Sequence, residues 1–191
     1  MNENQATKVV IPCRFSYVHV WEPTAIADGG DRKYSVSCLI PKTDKTTIDK
    51  IKKAINAAYM AGIAIKFKGK KPTSWKNPLR DGDDRDDDIY AGHVYVNASC
   101  KTRPGVVGAD RMPITDQDEF YSGCYGYVSI NFYAFNTNGN MGVAAGLNNV
   151  MKLKDGDTLG GRSSAESDFA DIDTDTDDIP LGAPVTDDPI Y

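Results

Sequence analysis

Apolar and polar positions alternate through the start of the chain as a half-buried strand requires. VVIPCRFSYVHVW, ending at Trp21, is rich in β-branched and aromatic residues and predicts a long first strand beginning at Lys8. Pro12 has no amide to offer a ladder, which places an edge or a bulge there. KYSVSCLI sets Tyr34, Val36, Cys38 and Ile40 on one face and predicts a second strand, entered through the turn Asp28-Gly29-Gly30-Asp31. The period then changes. In TDKTTIDKIKKAINAAYMAG, Ile48, Ile51, Ile55, Ala58 and Tyr59 recur at helical spacing. Thr46 and Asp49 have the spacing of a capping box, and Gly62 is the expected stop of a helix of about four turns.

A lysine-rich, irregular stretch follows, IKFKGKKPTSWKNPLR, and then the acidic loop DGDDRDDD. Strands resume at GHVYVNASC, and KTRPGVV adds a short one. The most regular alternation is YGYVSINFYAF, residues 125–135, whose even positions Gly126, Val128, Ile130, Phe132 and Ala134 suit a core. Its odd positions carry Tyr125, Tyr127, Ser129, Asn131, Tyr133 and Phe135. Asn136, Asn138, Gly139 and Asn140 supply turn chemistry, and MGVAAGLNNVMKL returns as one or two further strands. Five or more strands around one helix predict a mostly β fold with one helix, most economically an OB-like antiparallel β-barrel. The linker Gly160-Gly161-Arg162-Ser163-Ser164 closes it, giving an OB-like domain over 1–161 and a flexible tail over 162–191.

Charge sharpens that division. Residues 1–161 carry a net +3 and residues 162–191 a net −8, so the tail alone makes the protein acidic. Such a segment cannot bury enough apolar surface to offset the entropy of ordering its backbone, and disorder is expected of it. Within the body, residues 42–80 hold 11 Lys+Arg against Asp44 and Asp49, a block that attracts polyanions if it folds onto one face.

Other chemistries find little support. Cys13, Cys38, Cys100 and Cys124 form no C-x-x-C pair and have only His19 and His93 as further soft ligands, so no zinc site is expected and the cysteines read as buried, reduced thiols. The acidic loop 81–88 lacks the spacing and the terminal Glu of a calcium loop and reads as solvated. Phosphate-loop, dinucleotide, G-x-S-x-G and H-E-x-x-H signatures are missing; neither enzyme activity nor a cofactor is expected. No N-terminal signal region and no apolar run of the roughly 18 residues a membrane helix needs is present, which points to a soluble cytoplasmic protein without membrane contact.

Two features point to a ligand. Lys66, Lys68, Lys70, Lys71, Lys76 and Arg80 are interleaved with Phe67 and Trp75, and single-stranded nucleic acid needs cations for its phosphates and flat rings for its bases. The odd face of 125–135 presents four more rings, which are costly to leave in water unless an element, a partner or a ligand covers them. Burial under the helix or in a homodimer accounts for the rings alone, and a solvated loop for the lysines alone. A stacking surface accounts for both.

Three segments, EPTAIADGGDRKYSVSCLIPKTD, PLRDGDD and DEFYSGCYGYVSINFYAFNTNGNMGVAAGLNNVMKLKDGDTLGGRSSAESDFAD, resemble the single-stranded DNA-binding proteins of tailed bacteriophages, which combine an OB fold with an acidic C-terminal tail. The resemblance spans residues 7–171. It implies a domain that coats single-stranded DNA without sequence preference during phage replication and recombination, in the cytoplasm of the infected host. It also implies a tail that contacts phage or host replication and recombination proteins. On that reading Lys66, Lys68, Lys70, Lys71, Lys76, Arg80 and Arg103 hold phosphates, and Trp75, Tyr125, Tyr127, Tyr133 and Phe135 stack on bases. In the tail, Asp177, Asp178, Ile179 and Pro180, followed by Leu181, resemble the acidic isoleucine-proline tip of bacterial single-strand binding proteins, but lie inside the chain and lack its terminal Phe. Asp187, Asp188, Ile190 and Tyr191 repeat the pattern at the end. A phage structural or assembly protein that uses the aromatic strand as a subunit interface is the alternative.

Overall fold

The computed structural model describes residues 6–25 and 30–160. The tail residues named above, and Asp28 and Gly29 of the turn before the second strand, lie outside them. The elements lying in full within these residues are seven strands and one α-helix, in order: β1 (Lys8–Ala25), β2 (Arg32–Pro41), α1 (Lys45–Ile65), β3 (Leu79–Asp81), β4 (His93–Cys100), β5 (Gly105–Val107), β6 (Tyr125–Thr137) and β7 (Asn140–Lys154). A short 3-10 turn, Gln117–Glu119, precedes β6.

Pairing closes five of these strands into a barrel. β1 lies between β2 and β6, β2 pairs with β4, β6 with β7, and a parallel contact of β4 with β7 completes the ring. Ala98 faces Ala145 and Ser99 faces Gly146 along that last seam, where small side chains let two diverging strands approach. β3 and β5 add outer strands to β4 and β7. The interior is filled by the alternation the sequence shows: Val9, Ile11, Cys13 and Phe15 from β1, Val36, Cys38 and Ile40 from β2, and Val128, Ile130 and Phe132 from β6 are all buried. Phe15 and Phe120 meet with ring centroids 4.8 Å apart at the core.

The parity of β1 then inverts. Ile11, Cys13 and Phe15 point inward, and so does Val20, because Tyr17 adopts φ 46° and the register with β2 shifts between Ser16 and His19. This bulge lies beyond Pro12. At Pro12 itself β1 pairs with β6 only, since its ladder to β2 starts at Arg14, and the missing amide is tolerated.

Two details of α1 differ from expectation. Its N-cap is Asp44, whose carboxylate accepts from the Thr47 amide at 3.0 Å, rather than Thr46. The helix also runs past Gly62 to Ile65, and the Gly62 carbonyl accepts from the amides of both Lys66 and Phe67. Gly62 is there for contact: a Cβ at that position would collide with Ala134 of β6. The face Ile48, Ile51, Ala54, Ile55 and Ala58 is buried in the same core that β6 lines. No helix among the described residues is long and apolar enough to cross a membrane.

Candidate nucleic-acid interface

The outward face of β1, β2 and β4 carries a groove of about 620 Å³. Tyr17, His19 and Thr24 line it from β1, Ser35 and Ser37 from β2, Asn97 and Ser99 from β4, and Arg80 and Arg85 from β3 and the acidic loop. The residues are there for simple reasons. Short hydroxyl and amide side chains of Ser35, Ser37, Asn97 and Ser99 alternate along the strands with Val36 and Ala98, which also border the groove with Ala25, so the floor is mixed polar and apolar and uncharged. The bulge puts Tyr17 on the rim, 53% exposed.

Arg85 is the best-fixed cation of the groove. Its guanidinium carbon lies 4.2 Å from the centroid of Tyr90, 5.5 Å from that of Tyr95 and 5.7 Å from that of Tyr17. Tyr90 is fully buried and donates its hydroxyl to Ser37 at 3.0 Å. Leu39 and Leu159 pack in the same cluster. The loop that carries Arg85 is folded rather than freely solvated: Lys42 bonds Asp81 at 2.5 Å and Asp83 at 2.6 Å, and Asp83 also accepts the Gly92 amide at 2.6 Å. The Lys42 ammonium, seconded by the backbone amides, holds both carboxyls below the usual carboxylate range.

The residues singled out from the sequence do not share one cleft. Arg80 lines the groove, and Arg103 lies over Trp21 at 5.3 Å, on the stretch of β1 that also supplies His19 and Thr24. Lys66, Lys68 and Lys70 line a separate pocket of about 590 Å³ against the β6–β7 hairpin residues Asn136, Asn138 and Gly139, with exposed Lys71 in the same loop. Lys76 bridges to Gly142 of β7, and four residues later Arg80 pairs with Tyr95 of β4, so one extended segment leads from the hairpin to the groove. Trp75 is half-buried against Tyr59 at 4.8 Å, and Phe67 is buried beside it.

The β6 rings face elsewhere, because β6 neighbours β1 and β7 but neither β2 nor β4. Tyr127 and Tyr133 are 38% and 46% exposed there, and Phe135 is half-buried opposite Gly142. Tyr125 is held between Arg14 at 5.2 Å and Lys154 at 4.9 Å. Tyr133 borders a pocket beside the end of α1 together with Lys66 of the basic block and the buried Phe132. Tyr17, His19, Arg85, Asn97 and Ser99 are groove residues that composition does not reveal. Two signals in the sequence mark the first and third. Apolar parity flips from odd to even after Phe15, and a single arginine stands inside a run of aspartates.

A five-stranded barrel with a polar, aromatic and cationic groove across its second and third strands defines the oligonucleotide- and oligosaccharide-binding class. Within that class the chain belongs to the family described as the single-stranded DNA-binding protein of Enterobacter phage Enc34, which it matches over residues 7–180. It is 37% identical over 166 residues to putative protein p50 of Acyrthosiphon pisum secondary endosymbiont phage 1, covering 83% of this chain and 90% of that one. The Enc34 protein in complex with single-stranded DNA superposes with a TM-score of 0.65 at 26% identity, over 84% of this chain and 96% of that one. Bacteriophage T7 gp2.5, a single-stranded DNA binding protein, shares the fold at 19% identity with a TM-score of 0.55, over 88% of this chain and 97% of its own.

Proposed function

We propose that this chain binds single-stranded DNA without sequence preference and protects it during phage replication and recombination, in the cytoplasm of the infected host. The observation that carries this reading is the groove over β1, β2 and β4: rings and guanidinium groups on the rim, and an uncharged floor of hydroxyls, amides and small apolar side chains that suits backbone and stacking contacts. Arg80, Arg85 and Arg103 hold phosphates or stack on bases, and Lys76 with Lys66, Lys68, Lys70 and Lys71 extends the track toward the β6–β7 hairpin. Action is by stoichiometric coating, without turnover.

The acidic tail is assigned two tasks. Carrying −8, it competes for the groove at high effective concentration, and once displaced by DNA it offers its Asp-Asp-Ile-Pro and Asp-Asp-Pro-Ile-Tyr segments to replication and recombination partners.

Titration of the chain with a dT oligonucleotide over a salt series, with duplex competitor, tests this. If about five phosphates are neutralised, log K falls with log salt at a slope near −3.5. Removing residues 166–191 tightens binding, most at low salt. Binding that ignores salt, or that duplex abolishes at equal nucleotide concentration, contradicts the reading.

A further inference from the structure

We propose that the aspartate loop 81–88 is a positioning device for the DNA groove: Lys42, pinning Asp81 and Asp83, sets Arg85 against Tyr90 so that its guanidinium and Tyr17 form the base-stacking platform. This rests on the single-stranded DNA reading above and names the residues that would carry it.

The first support is the way Arg85 is mounted. The guanidinium lies over Tyr90 at 4.2 Å, while Arg85 also lines the groove. A planar cation that rests among rings and still borders a groove is suited to stack on a base, as arginine planes do with unpaired nucleotides.

The second is the construction of the loop. Six aspartates within eight residues would repel one another and a nearby polyanion, yet this loop is bound to its surroundings at several points. Lys42 bridges Asp81 and Asp83. The Asp83 carboxylate takes the Gly92 amide, the Gly82 amide donates to His93 at 2.8 Å, and the Arg85 amide donates to Gly82 at 3.1 Å. Gly82 is packed so closely against the carbonyls of Tyr90 and His93 that a side chain there has no room. The third is Tyr17, whose left-handed backbone is uncommon for a bulky residue and is of the kind that clusters at functional sites.

Equilibrium binding of a dT oligonucleotide to the full chain distinguishes positioning from simple charge. Deleting a negative charge beside a polyanion tightens binding if the loop only repels. The proposal expects the opposite sign: Asp83→Asn weakens binding, and Arg85→Ala weakens it on the order of 5- to 100-fold, as loss of one base-stacking side chain does. Lys42→Ala weakens binding with its salt slope intact, and Lys42→Arg restores it; a slope flattened by about 0.7 would instead make Lys42 a phosphate ligand and overturn the positioning role. Binding unchanged or tightened by Asp83→Asn, with the wild-type chain binding normally, overturns this inference alone. A wild-type chain that ignores the oligonucleotide overturns the proposed function together with it.

Discussion

Tyr17 and Tyr127 are both exposed tyrosines on strands of the same barrel, at 53% and 38%, and their surroundings separate them. Tyr17 stands on the groove rim with Arg85 at 5.7 Å. Tyr127 lies opposite Pro12 on one side and Met151 on the other, on the face of β6 remote from β2 and β4. Tyr17→Ala is therefore expected to weaken oligo-dT binding by about 1–3 kcal/mol, the range for one stacked base, with Tyr127→Ala changing it by less than ~0.5 kcal/mol. Fluorescence titrations of the two variants at one salt concentration check this. A larger loss at Tyr127 would return the stacking surface to β6. The thiols were read as buried, and three of the four are: Cys13, Cys38 and Cys124 are free and buried, Cys100 is free and half-buried, and burial raises the Cys13 and Cys124 thiols above their ordinary range.

At the scale of elements, the long strands were legible where one face lies in the core and the other does not, as in β6, where Val128, Ile130 and Phe132 are buried while Tyr127 and Tyr133 are not. β2, buried on both faces from Val36 to Ile40, was legible by its apolar and β-branched content. β3 was not legible. It is three residues long and exists through its pairing with β4, a partner that no local pattern announces. The end of α1 misleads for a related reason, since Gly62 reads as a stop but serves the contact with Ala134. Gly62→Ala decides between the two roles. In an exposed helix interior the change would stabilise by about 1 kcal/mol. Here the added methyl meets Ala134 and comes within 3.0 Å of the Phe67 ring, and overpacking costs about 1–3 kcal/mol. A lower urea midpoint is expected; a higher one would mean that α1 and β6 are not in close contact. The lysine block was legible as composition, but the faces onto which a barrel distributes its cations are set by pairing, which is why Arg80 reaches the groove and Lys66 the hairpin.

Over the whole molecule, a weakly positive body of +3 is joined to a tail of −8, so the net charge of −5 conceals the surface a nucleic acid meets. The barrel separates two candidate surfaces by construction, the groove over β1, β2 and β4 and the tyrosine face of β6. The central claim is that a single strand lies in the first. Photo-crosslinking of the full chain to a 4-thiothymidine oligonucleotide, followed by peptide mapping, tests it most directly. Crosslinks within residues 17–24, 33–37 and 80–99 are the expected result, and crosslinks confined to residues 125–135 would contradict it.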